Sequence, residues 1–81
     1  MAGTIKVKEN EMTNGEEFIW LGGAMRMQTV ANGGTAELTV DTGVGYGVVA
    51  TYDADDYDKF DLDYSTKCKV TITGDARVSV R

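Results

Sequence analysis

Apolar side chains recur at every second position along most of this chain, the period of a half-buried β-strand, and no stretch shows the three-to-four spacing of an amphipathic helix. Thr4 to Lys8 alternates about Ile5 and Val7. From Phe18 to Val40 three apolar runs are separated by Gly22-Gly23 and Asn32-Gly33, pairs suited to two-residue turns with positive φ. The spacing predicts a three-stranded meander there, with Trp20 against Met25, Phe18 against Met27, Met27 against Leu38 and Met25 against Val40. Those side chains then share one face, and Arg26, Gln28, Glu37 and Thr39 share the other.

The run Phe18-Ile19-Trp20-Leu21 is apolar on both faces. Ile19 and Leu21 therefore need a cover, supplied either by this chain's own N-terminal strand or by another subunit. After Val40, the parity of Tyr46, Val48, Ala50 and Tyr52 continues the inner face if a turn centres on Gly43. Gly45 and Gly47 would then leave a strip of bare backbone outside, which fits a bend or the close approach of a partner. Asp53 to Asp58 reads as a loop. Beyond it, Phe60, Leu62, Tyr64, Thr66, Cys68, Val70 and Ile72 keep one parity, as one long strand bent across two sheets or as a hairpin folded at Ser65-Thr66-Lys67. Gly74-Asp75-Ala76 predicts a last hairpin, with Ile72 against Val78 and Val70 against Val80.

The expected fold is therefore all-β: a small antiparallel sandwich or barrel of seven or eight short strands without a helix, forming one domain over residues 1–81 with a polar N-terminal arm to about residue 16. At this size only roughly 60–65 % of the unfolded chain's surface is buried. The single cysteine, Cys68, precludes an internal disulfide and points to a reducing compartment or to support from an assembly. The first residues lack the apolar core of a signal peptide, and no run reaches the ~18 apolar residues of a membrane helix.

Charge refines this picture. Six aspartates and Lys59 between Asp53 and Asp63 hold the whole net charge of −5, and the other acids and bases cancel. Clustered Lys and Arg are not evident along the chain, which argues against nucleic acid or membrane as partner. Asp53, Asp55, Asp56 and Asp58 are candidate calcium ligands, although the spacing departs from an EF-hand, with Tyr57 and Asp58 at its fifth and sixth positions. A solvated acidic loop is the simpler expectation, and no cofactor is expected. With no histidine and with Cys68 at a core position, catalysis is not expected. Phe18, Trp20, Tyr46, Tyr52 and Tyr64 are read as core, and Tyr57 as the exposed aromatic. Met12 is read as filling a gap beneath a loop or on a partner.

A short polar N-terminal arm, GG and NGG turns, the segment GTAELTV followed by a glycine-rich strand, and the lack of both disulfide and histidine resemble small all-β bacteriophage virion proteins of the capsid-decoration or auxiliary type. The resemblance implies a non-enzymatic protein of the virion. Its partners would be capsid or tail proteins and other copies of itself; the resemblance transfers no residues, and the contact candidates come from the pattern itself, Ile19 and Leu21 on the two-faced strand, Gly45 and Gly47 on the bare strip, and Met12. The alternatives are a calcium-assisted binding or adhesion module, and an acidic inhibitor that presents Asp53 to Asp63 as a mimic of nucleic acid.

Overall fold

A computed structural model describes residues 11–63 and 65–81, so the expected strand at Thr4–Lys8 and the core placement of Tyr64 lie outside the described residues. Among the described residues there are eight strands: β1 (Glu11–Met12), β2 (Glu16–Trp20), β3 (Gly23–Val30), β4 (Thr35–Asp41), β5 (Tyr46–Tyr52), β6 (Asp56–Leu62), β7 (Thr66–Thr73) and β8 (Arg77–Val80). They form two four-stranded antiparallel sheets, β1-β8-β3-β6 (sheet A) and β2-β7-β4-β5 (sheet B). Among the described residues there is no helix. The all-β sandwich expected from alternation is what the chain forms. Residues 11–16 of the expected arm supply β1, a turn and the first residue of β2.

The sheets pack face to face over a core drawn from both, with Met25, Met27, Val78 and Val80 from sheet A and Phe18, Leu38, Cys68 and Val70 from sheet B. Parity was a sound guide here. Phe18, Met25, Met27 and Leu38 all point inward, as do the half-buried Trp20 and Val40. Pairing was not. β2 is hydrogen-bonded to β7, with Phe18 opposite Cys68, and β3 lies between β8 and β6, with Met25 opposite Phe60. The meander and its registers are thus replaced by strands that alternate between sheets. Gly22, Gly23, Asn32 and Gly33 do adopt positive φ, from 49° to 105°, but they steer the chain around a corner instead of reversing it within a sheet. In a sandwich both inner faces want the same parity, so alternation cannot tell a hairpin from a crossing.

The same reason corrects the C-terminal half. β6 and β7 belong to different sheets, and Ser65, just before β7, has φ 59°, which is closer to the bent-strand expectation than to a hairpin. β6 also begins at Asp56, so the acidic loop is shorter than expected. Gly74-Asp75-Ala76 is another crossing, because β8 pairs with β1 and β3, and Ile72 sits opposite Ala36 in β4.

Among the described residues, only β4 and β5 form a hairpin between consecutive strands. Its loop spans residues 42–45, with Asp41 opposite Tyr46 and Val40 opposite Gly47, one position from the expected register. A bulge then places Val48 and Val49 together before Leu38 meets Ala50, restoring inward parity for Ala50 and Tyr52. Tyr46 consequently lies outside, with Lys69 Nζ 4.5 Å from its ring centroid, and Val48 is exposed; both were expected inside. Gly45 falls in the loop and Gly47 opposite the inward-facing Val40, so the outer strip of bare backbone does not form.

One rule describes the topology. Pairs nest symmetrically about the β4–β5 turn: β4 with β5, β3 with β6, β2 with β7 and β1 with β8. The chain is one long antiparallel ribbon rolled on itself, and the contacts β3–β8 and β4–β7 close the two sheets. This is the strand order of a jelly roll.

Candidate functional site

The β2–β3 corner, the β4–β5 turn and the β6–β7 corner share one end of the roll, since β2, β7, β4 and β5, which border them, are antiparallel neighbours in sheet B. Each is shaped by local chemistry. The Asp41 carboxylate accepts from Gly43 N–H at 2.8 Å, and Thr42 donates from both its amide and its hydroxyl to Gly45 O at 2.8 and 3.0 Å. Gly43 and Gly45 take φ of 95° and 125°, which the turn requires and a branched residue would resist. In the β6–β7 corner, Thr66 Oγ1 donates to Asp63 O at 2.6 Å. Trp20 Nε1 donates to Gly23 O at 3.3 Å, so the indole closes the core beneath the β2–β3 corner.

Above that floor, apolar side chains stand in solvent. Leu21 is 65 % exposed in the β2–β3 corner and Val44, at the tip of the turn, is 96 % exposed. Ile19 at the β2 edge and Val48 beside the bulge of β5 continue the apolar surface along the two margins of sheet B. Between turn and corner lies a cleft of about 390 Å³ lined by Asp41, Gly43, Asp63, Ser65, Thr66 and Lys67. The end therefore offers apolar tips around a polar, charged cleft, which suits a protein surface better than a small apolar molecule.

The residues singled out in the sequence are thus dispersed. Ile19 and Leu21 are exposed at the open end, and Gly45 is in its turn. Gly47 lies on the inner side, where an added Cβ would meet the Thr42 methyl at 3.0 Å. Met12 is buried at 4 % exposure opposite Val78 and belongs to the core, so it is not offered to a partner. Val44 went unnoticed in the sequence, although its place between two turn glycines is a signal that nothing on its own chain shelters it.

The acidic stretch has structural duties. Asp55 accepts from Ala31 N–H at 2.9 Å, Asp56 from Tyr57 N–H at 2.7 Å, and Asp58 from Tyr52 Oη at 2.6 Å. Asp53 is exposed. Among the described residues no three or more metal-ligating side chains converge. The Tyr52–Asp58 bond joins the margin strands of the two sheets. Burial, the bond to Asp58 and the negative charge of Asp58 and Asp56 hold the phenol well above its usual pKa. Cys68 is fully buried, and its thiol is pushed up to about 11 by loss of solvent, which keeps it protonated at neutral pH.

On the outer face of sheet A, Arg77 holds Glu11 through two 2.7 Å bonds, which, with the cation's charge, lower the Glu11 pKa against a smaller opposing effect of burial. On sheet B, Lys67 pairs with Glu17 at 3.6 Å. Comparison of the chain with protein-family models, with curated proteins and with solved structures found no significant match in any of the three.

Proposed function

We propose that this chain is a non-enzymatic structural protein that binds and reinforces a protein lattice, in the manner of the capsid-decoration and auxiliary proteins of bacteriophage virions. The observation that carries the reading is the open end, where Leu21 and Val44 stand exposed beside a charged cleft while Ile19 and Val48 extend the apolar margin. Solvent-exposed side chains of this size contribute little to a monomer and gain free energy when a partner covers them, at roughly 25 cal/mol per Å² of apolar surface removed from water. The jelly-roll strand order supports the reading by analogy alone, since that architecture recurs in viral capsid proteins as well as in lectins.

The test is attachment. Particles purified from the source of the sequence are expected to carry the chain in a fixed copy number. A variant with Leu21→Ser and Val44→Ser is expected to fold with an unchanged circular dichroism spectrum and to be missing from the particles. Attachment of that variant at the normal copy number would overturn the proposal.

A further inference from the structure

Three cations form a row across the outer face of sheet A. Arg26 in β3 is directly opposite Lys59 in β6, and on its other side exchanges both backbone bonds with Arg81, at 2.7 and 2.9 Å. All three are exposed, and among the described residues none makes an ion pair. Like charges directly opposite one another in a sheet repel and destabilise it. The row on one side is Glu11, Ser79, Gln28 and Tyr57, with Glu11 held by Arg77, and the row on the other side has Asp61 opposite Ala24, so Arg26 and Arg81 stand beside the neutral Ser79, Gln28 and Tyr57. These side chains, Arg26, Gln28, Tyr57, Ser79 and Arg81, line a shallow cavity of about 270 Å³. Cations set side by side with no ion-pair partner among the described residues mark a place where something outside the fold is expected.

We infer that this cavity binds an acidic saccharide, a sugar ring carrying a carboxylate or a sulfate. Arg26 and Arg81 supply charge-assisted hydrogen bonds, and arginine suits the two oxygens of such an anion. Gln28 and Ser79 supply neutral donors and acceptors for hydroxyl groups. Tyr57, 59 % exposed at the rim, offers an aromatic face to the C–H side of a ring. The lining has no aliphatic wall for an apolar ligand. A long polyanion is opposed by the overall negative charge and by Glu11 and Asp61 on the same face. A carboxylate on a flexible peptide would use the cations and leave Gln28, Ser79 and Tyr57 idle. This inference rests on sheet A alone and is independent of the open end.

The experiment is a titration of the ¹⁵N-labelled chain, followed by amide shifts, with glucuronate, glucose, acetate and hexaglutamate as probes. Glucuronate is expected to move the amides of Arg26, Gln28, Tyr57, Ser79 and Arg81 with a Kd of ~1 mM, as expected for a ligand of its size, with glucose and acetate each at least ~10-fold weaker. Arg26→Gln and Tyr57→Ala are each expected to weaken glucuronate by ~10-fold while leaving the remaining spectrum in place. Equal binding of acetate, tighter binding of hexaglutamate, or shifts outside this face would each overturn the inference, the second in favour of an acidic protein segment. The Leu21→Ser and Val44→Ser variant is expected to bind glucuronate like the parent, so failure at one surface is distinguishable from failure at the other.

Discussion

At one end of the roll, hydrogen bonds from loop side chains join segments that are far apart in the sequence: Ile72 N–H of β7 to Asn14 Oδ1 at 2.9 Å, Ala31 N–H to Asp55 Oδ1 at 2.9 Å, and Asn32 Nδ2 to the Asp75 carbonyl at 3.2 Å. Gly15 N–H reaches Val70 O at 2.8 Å in the same region, and Gly34 is wedged against the Thr73 carbonyl. At the other end, hydrogen bonds among the described loop residues run only within each turn, and apolar side chains face water. Both ends turn the same strands. The difference teaches where the stability of this small domain resides and which surface is spare: the stitched end holds the two sheets in register, and the open end is released from that duty.

The sharpest way to break the contrast is at Gly34. A Cβ there would overlap the backbone oxygen of Thr73, which no rotamer change relieves, so Gly34→Ala is expected to cost about 3 kcal/mol or more in urea unfolding. Next comes Asp55→Ala, which strands the Ala31 amide and is expected to cost ~1–2 kcal/mol by the same measurement. Tyr52, at the stitched end of β5, gives a smaller loss of about 1 kcal/mol on replacement by Phe, read as a fall in melting temperature at pH 7.

The same tyrosine sets a pH dependence. Its pKa is raised in the folded chain, so the neutral phenol is the form that the fold favours. Its contribution is full below pH 10, the ordinary value, and is lost as pH rises beyond it. Alkaline unfolding is expected to be delayed in Tyr52→Phe relative to its own stability at neutral pH. The smallest effect sharpens the contrast from the other side. Leu21→Ser or Val44→Ser is expected to change stability by no more than about 0.5 kcal/mol, and a loss comparable to that of Asp55→Ala would show that the open end carries structural load after all.

Legibility in the sequence followed the same division. Alternation alone identified the inward residues from Phe18 to Leu38, because burial on one face is a property of each strand by itself. The β4–β5 hairpin was also legible, apart from its register, since its loop joins neighbours. Partnerships of the other strands were not. Gly22-Gly23 and Asn32-Gly33 supply positive φ, which serves a hairpin and an inter-sheet corner equally, and nothing local to β2 says that it will pair with a segment fifty residues later. The cation row was hidden for the same reason. Arg26, Lys59 and Arg81 belong to three separated strands, and a chain scanned for clustered bases does not reveal them until the pairing is known. The exposed Ile19 and Leu21 were visible as an excess of apolar groups on both faces of one run, but that excess did not say whether this chain would cover them.

The nesting of strand pairs about the β4–β5 turn bears on how the chain reaches this structure. Contacts such as Glu11 with Arg77 are very distant along the chain, and direct closure of so large a loop is slow and entropically costly. A ribbon that zips outward from residues 42–45 avoids that step: once β4 has met β5, the ends of β3 and β6 are already close, and each completed pair shortens the effective loop for the next. On that route the last step is the roll itself, when β3 meets β8 and β4 meets β7 and two stretches of one ribbon become two sheets.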